Sequence, residues 1–397
     1  MTLTSNTHME HLEDLVLNNG IQGADQALNF LESLRDSLTS SSEDAVNATV
    51  KWDGAPAIVV GREDSKLFVS TKSYFNKTPV MYYSPKEIDA ADLNPDLADK
   101  LKRALYYLKD LSIGPNTVIQ GDFLYTKDDI KTQVIDSKTY LIFHPNTIVY
   151  AVPKDSELAN QILQSEIGIV FHTTVSHDMK PFKMSWVQPL DKVWMIDATY
   201  QDLSGSATMT KDEDKELKRE LDYANKALKR IDTRVIKKIS EDKHLLSYIK
   251  VHHNLHIREG KDIISPMKYT KSLKSYLVQR VNKEVDALKT ESGQDRKKIA
   301  LANVIMFSKL PEYRIASIFE MQMHLAKAKK IIINKLNKAS KLSTFLKTNK
   351  GFQVTGEEGY VAIDRKGNTV KLVDRLEFSY SNFNPEIVKG WNNDNRR

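Results

Sequence analysis

The spacing of apolar residues changes period twice along this chain, from strand-like to helical near residue 205 and back to strand-like near residue 348. That switch fixes most of what the chain can become. Short β-prone runs come first: Ala48–Lys51, Ala57–Val60 and Leu67–Thr71, separated by Asp53-Gly54 and Gly61–Ser65. A helix is predicted over Lys86–Leu111. Strands then return at Thr117–Tyr125, Thr139–Phe143, Ile148–Val152 and Gly168–His172, with a helix at Ser156–Ser165. From 205 to 347 the pattern is helical, as in Leu217–Ile231 and Ala316–Leu336, with boundaries expected at Pro266 and Pro311. Strand runs close the chain at Phe352–Val354, Gly359–Ile363, Thr369–Val373 and Leu376–Tyr380, with a Lys366-Gly367-Asn368 turn.

Strands on both sides of a helical block imply one discontinuous α+β domain with a helical insertion. A separate C-terminal β-subdomain carries the same pattern. The expected map is an N-terminal helical segment (1–45), a first catalytic-domain part (46–204), a basic helical domain (205–347), the last strands (348–385) and a tail (386–397).

Composition narrows the functions. Hydrophobic residues make up 41% of the 397, too many for a disordered chain. No apolar run approaches the ~18–20 residues of a membrane span, and Met1–Glu10 lacks the pattern of a secretory signal. Zero cysteines exclude disulfides, thiolate metal sites and a cysteine nucleophile. The expectation is a cytoplasmic protein with no membrane partner. Net charge is +6, but residues 211–350 hold 33 Lys+Arg against 17 Asp+Glu, an excess of +16. Such a block attracts a polyanion, of which a phosphate backbone is the commonest, and the Lys327, Lys329 and Lys330 cluster is the expected grip. A solvated lysine-rich helix surface would look the same. His252, His253 and His256 place two imidazoles at i, i+4. With no carboxylate at matching spacing, they read as surface or phosphate-contacting histidines rather than a metal pair.

The sharpest local pattern is Lys51-Trp52-Asp53-Gly54 at the end of a strand run. A lysine amine attacks phosphorus only when deprotonated, which needs a partly desolvated site or neighbouring cations. The Asp-Gly turn lets backbone approach a nucleotide closely. This segment resembles the KxDG motif of the covalent nucleotidyltransferase superfamily, which includes ATP-dependent DNA and RNA ligases and capping enzymes. Further segments follow in the family's order. Ser70-Thr71-Lys72-Ser73 is similar to its short basic segment, and Gln120-Gly121-Asp122-Phe123-Leu124 to its acidic strand, with aspartate in place of glutamate. Thr139-Tyr140-Leu141-Ile142-Phe143 resembles the aromatic strand, Glu357-Glu358-Gly359-Tyr360-Val361 the EGxV motif, and Thr369-Val370-Lys371-Leu372 the closing lysine strand. The opening segment, His8-Met9-Glu10-His11-Leu12-Glu13-Asp14, is also similar to uncharacterised proteins of large tailed bacteriophages.

The resemblance implies an antiparallel-sheet nucleotidyltransferase domain of the ATP-grasp-like ligase type. Its function would be that of an ATP-dependent RNA ligase working through a covalent lysyl-AMP on Lys51. It implies nucleotide contacts from Asp53, Gly54, Lys72, Phe143, Glu358 and Lys371, with Phe143 stacking on the purine. It implies Mg²⁺, or Mn²⁺ in its place, on Asp122 and Glu358, and RNA or DNA ends as partners. A ligase for DNA or mixed ends, and an inactive nucleic-acid-binding relative, are the alternatives. The departures are specific. Val373 stands where a second closing lysine is common, with Arg375 as a possible substitute, and Pro56 stands where DNA ligases usually have arginine. Phe143 and Glu358 are 215 residues apart, longer than usual, and Glu166 with Lys180 and Lys183 forms a rival acidic and basic set inside that gap. Only 26 residues follow Lys371, too few for an OB-fold, so the helical block would take that domain's place.

Overall fold

The structure is a computed structural model and describes residues 11–39, 47–114, 117–175, 190–197, 208–339, 342–363 and 369–390. The architecture is α+β. A single 3₁₀ turn, Leu12–Asp14, leads into helix α1 (Leu15–Thr39), which is broken at Gly20. Strands β1 (Asn47–Val50), β2 (Ala57–Glu63) and β3 (Lys66–Ser70) follow, then helices α2 (Pro85–Ala90) and α3 (Pro95–Tyr107). The single helix expected over Lys86–Leu111 is thus two. Asn94 caps α3 through the Asp96 amide, and Pro95 takes the first-turn position where a missing N–H costs nothing.

Strands β4 (Val118–Thr126), β5 (Lys131–Ile135), β6 (Lys138–Phe143) and β7 (Ile148–Pro153) precede α4 (Glu157–Gln164), β8 (Ile167–Val175) and β9 (Val193–Asp197). The helical block comprises α5 (Lys211–Leu228), α6 (Thr233–Glu241), α7 (Lys243–Arg258), α8 (Pro266–Asp286), α9 (Glu291–Ala300), α10 (Ala302–Ser308) and α11 (Tyr313–Ala339). Polar caps start most of them: Thr210 with Glu213 makes a capping box for α5, Asp232 caps α6, Asp242 caps α7, and Ser265 before Pro266 caps α8. The chain closes with β10 (Ser343–Thr348), β11 (Gly351–Val354), β12 (Tyr360–Ile363), β13 (Thr369–Leu372) and α12 (Arg375–Phe383).

Two expectations are corrected here. Leu376–Tyr380 is helix α12, because the Asp374 side chain accepts from the Leu376 and Glu377 amides and starts a helix despite the alternating apolar residues. The helical run ends at Ala339, and Ser343–Thr348 is a strand. The Lys366-Gly367-Asn368 turn lies outside the described residues.

Among the described residues the strands form three sheets, ordered β1-β12-β13, β11-β10-β7-β6-β5 and β3-β2-β4-β8-β9, antiparallel except for β8 with β9. Strands from after the helical block complete sheets begun before it. Val50 pairs with Tyr360, and Ser343 with Ala151. Helix α1 packs along α5, α6 and α11, so this N-terminal segment is built into the helical body. One apolar cluster runs from Leu31 and Leu34 of α1 through Ile318 and Phe319 of α11 to Trp52, Tyr150 and Tyr360 among the sheets. A second, with Ile58, Val60, Phe123 and Phe171, seals one face of the β2–β4–β8 sheet against Leu101 and Leu108.

Candidate active site

Lys51 leaves β1 at the point where three chain segments meet. Its amide donates to the Gly359 carbonyl at 2.9 Å, continuing the β1–β12 ladder by one bond. Gly359 has φ +156°, and a Cβ there would sit 2.5 Å from the Leu372 carbonyl oxygen, so the close pass of β12 and β13 requires glycine. The Lys51 Nζ donates a short hydrogen bond to Glu358 Oε2. Across the turn, Gly54 lies so near β4 that a Cβ would stand 2.5 Å from Asp122 Cβ and 2.8 Å from the Phe123 carbonyl oxygen. The Ala55 amide and the Pro56 carbonyl both bond to Phe123, at 2.9 and 3.0 Å. The glycine of Lys51-Trp52-Asp53-Gly54 is therefore what lets Asp122 reach the lysine.

Asp53 acts through the fold. Its carboxylate accepts from Asn146 Nδ2 at 2.7 Å and from the Thr147 and Ile148 amides at 2.7 and 2.9 Å, tying the Lys51 segment to the β6–β7 turn. Its own amide donates to the Tyr150 hydroxyl at 2.7 Å. Both carboxylate oxygens are thus engaged in positioning the Lys51 segment, the role the structure shows for this side chain.

Charge around Lys51 is lopsided. Burial opposes its ammonium form, but Glu358, then Asp122 and Asp53, outweigh that and hold its pKa above the usual lysine value. Glu358 is pushed up to about 7: burial is the main cause, Asp53 and Asp122 add to it, and Lys51 pulls the other way. Lys51 is thus held as the ammonium, the opposite of the depression a nucleophilic amine needs, while Glu358 ionises near neutrality. His172 of β8, not foreseen from sequence, places Nε2 3.4 Å from Asp122 Oδ2 and Nδ1 2.8 Å from Thr173 Oγ1.

The remaining expected residues fall into two groups. Lys371 pairs with Val361, which pairs with Thr49, so Lys371 and Lys51 share one face of the β1–β12–β13 sheet. Lys72 is exposed just past β3, at the end of β2 where Ala57 pairs with Asp122. Phe143, by contrast, is 1% exposed and stacks on Tyr150 at 5.4 Å beside Tyr125 and Trp194, with no face open to a base. Val373 is buried, and Arg375 does not replace the second closing lysine, because its guanidinium bonds Asp14 at 3.0 Å and Asn254 at 2.8 Å. Glu166 lies where Thr126 pairs with Ile167, four residues along β4 from Asp122 and hence about 13 Å away. Lys180 and Lys183 lie outside the described residues.

The basic cluster is also divided. Lys329 is 2% exposed and its Nζ bonds Glu13 at 2.6 Å, so it faces the interior, whereas Lys330 pairs with Asp374 at 2.7 Å and Lys327 is exposed. Lys329 cannot touch nucleic acid from there. His252 and His253 are buried under α8, on Ser272 at 3.1 Å and Tyr269 at 3.2 Å. Burial lowers their pKa values to about 4 and about 3, making them neutral core histidines rather than surface or phosphate contacts.

Among the described residues no group of three or more His, Asp or Glu side chains stands ready to hold a metal. A Mg²⁺ ion would rest on Asp122 and Glu358 together with phosphate oxygens, which is how this ion commonly divides its ligands. Among the described residues no helix is long and apolar enough to cross a membrane.

The sequence profile of a family of unknown function, DUF6267, matches residues 6–387, and the chain belongs to that family. No curated protein and no solved structure matches it.

Proposed function

We propose that this member of DUF6267 is a covalent nucleotidyltransferase acting as an ATP-dependent RNA ligase. The observation that carries the reading is the meeting of Lys51 and Glu358, 307 positions apart, beside Asp122 at a turn whose glycine admits that approach. In the first step the Lys51 Nζ attacks the α-phosphorus of ATP, a P–N bond forms, the α–β bridging P–O bond breaks and pyrophosphate leaves. The ammonium must first lose a proton. The neighbouring carboxylates hold that proton on Lys51 in this arrangement, and Glu358, in hydrogen-bond contact with Nζ, is the nearest acceptor. The AMP then passes to a 5′-phosphate, and a 3′-hydroxyl displaces it to make the phosphodiester. Lys371, on the Lys51 face of its sheet, and Lys72 offer charge to the phosphates. Bound Mg²⁺, or Mn²⁺ in its place, would supply Lewis-acid neutralisation of the developing charge.

A second reading has its own support: a nucleic-acid-binding protein that keeps this arrangement without catalysis. Phe143 is buried, Val373 holds the second closing-lysine position, and Lys51 is closed on Glu358.

Incubation with α-labelled ATP and Mg²⁺ separates the two. The ligase reading expects label bound to the denatured protein, released by acid as a phosphoramidate is, and absent in Lys51→Ala. Unlabelled protein, or equal labelling of Lys51→Ala, ends that reading. Labelled protein offered nicked and single-stranded RNA and DNA then identifies the ends it joins.

A further inference from the structure

The β3–β2–β4–β8 sheet has two unlike faces. One is sealed by α3. The other carries Val59, Phe68 and Val118 and, two and four residues on from Val118, Gln120 and Asp122. After β3 the chain makes a 3₁₀ turn, Lys72–Phe75, that lays Tyr74 on Phe68 with ring centroids 5.8 Å apart and planes 14° apart. Phe75 stands edge-on to Tyr74 at 5.5 Å, and Tyr83 edge-on to Phe68 at 5.8 Å. The returning chain is fixed by reciprocal bonds between Val69 and Tyr82, at 3.0 and 2.9 Å, and the Tyr83 hydroxyl is anchored on Glu63. Tyr74 and Phe75 are half-buried, while Lys72, Asn76 and Lys77 are exposed.

Within six residues, then, two cations bracket two fixed rings at the sheet end that leads to Asp122 and Lys51. Tyr74 gives one face to Phe68 and keeps part of its ring exposed, which an unpaired base can stack against, and the exposed Lys72 and Lys77 are near enough in sequence to meet the flanking phosphates. A duplex exposes base faces only at its ends, so along its length it cannot use such a ring.

We propose that Tyr74 and Phe75, with Lys72 and Lys77, form a stacking platform for the terminal nucleotides of a single-stranded nucleic acid. The direction of that strand, its end toward Lys51, rests on the function proposed above; the binding itself does not.

The test is binding without ATP, by fluorescence anisotropy, of labelled single-stranded RNA, single-stranded DNA of the same sequence, and the corresponding duplex. Tyr74→Leu keeps an apolar cover over Phe68 but removes the π-face. Affinity for single strands should fall about 5- to 150-fold, the range of one lost base–aromatic stack, while Tyr74→Trp should retain it. Phe75→Leu is a second arm with the same expected direction. Lys77→Gln should flatten the log–log salt dependence by about 0.7, one phosphate contact on a single strand. Unfolding midpoints of all variants should match the parent. Parental affinity in both leucine variants, equal loss in Tyr74→Trp, or preference for duplex would overturn the platform. Binding through Tyr74 by a chain that takes no label from ATP keeps the platform and ends the ligase reading. Labelling without any Tyr74 dependence of binding does the reverse.

Discussion

Two of the lysine–glutamate pairs among the described residues, Lys329–Glu13 and Lys51–Glu358, have surroundings that make them opposites. Lys329 and Glu13, both 3% exposed at the side chain, join α11 to the turn before α1. Around Glu13, burial favours the neutral acid, but Lys329, His11 and Arg375 outweigh it and hold the carboxyl well below the usual range. Around Glu358 burial is the main push, Asp53 and Asp122 add to it and Lys51 pulls the other way, so its carboxyl rises to about 7. Surplus cations lock a carboxylate in its charged form; surplus anions leave a proton in play near neutrality. The first pair is a clamp between helices, whereas the second is suited to chemistry.

The sharpest way to break this contrast is to remove each lysine. Lys51→Ala should abolish lysyl-AMP formation, and Lys51→Arg should fail equally because guanidinium stays protonated. Glu358→Ala should lower labelling about 10²-fold or more, and Glu166→Ala should leave it unchanged. The reverse ranking would move the site to the other acidic set. In Lys329→Ala the expected loss is instead stability, about 3–5 kcal/mol by urea denaturation, because Glu13 is left buried without its main partner. Lys51→Ala should cost less, since Glu358 can take up a proton. Equal costs would erase the distinction.

The two glutamates should also give stability opposite dependences on pH. Glu358 is raised in the fold, so its contribution is full below about pH 4.5 and lost as pH rises toward about 7. Glu13 is depressed, so its contribution is present above about pH 4.5 and lost as pH falls. Glu358→Gln should therefore flatten the decline between pH 5 and pH 8 by about 1–3 kcal/mol. A decline of undiminished size in that variant would assign it elsewhere. The smallest effect belongs to Lys330→Ala. Its pair with Asp374 is half-exposed, and the loss should stay under about 1 kcal/mol.

Several of these assignments were legible in the sequence and several were not, for reasons visible at single residues. Lys51, Gly54, Asp122 and Glu358 stand out in sequence because their residue types follow a fixed order, and the structure brings them together. Phe143 was misplaced because an aromatic on a strand has the same pattern whether it faces a ligand or, as here, Tyr125 and Tyr150. Lys329 carried a signal that charge counting hid. It follows buried Leu325 by four residues and precedes buried Ile332 and Ile333, so it sits in the apolar stripe of α11, where a lysine needs an anionic partner. Helix α12 was missed because Leu376, Phe378 and Tyr380 alternate as in a strand, while the decisive residue was the cap, Asp374. His172 had no motif to reveal it; only the β4–β8 pairing sets it beside Asp122.

The pairing of β1 with β12 has a consequence for how the protein comes into being. Lys51 emerges early from the ribosome, but its carboxylate partner and the strand that receives its amide are made more than 300 residues later. Closing so long a loop costs only logarithmically more entropy than closing a short one, yet contacts of such separation form late. The helical body between them can collapse first around α11 and bring the two strand ends together. A growing chain would therefore carry Lys51 without its carboxylate partner while the more than 300 residues between them are made. Lys51 can meet Glu358 only once residues 358–363 have been made and β12 has paired with β1.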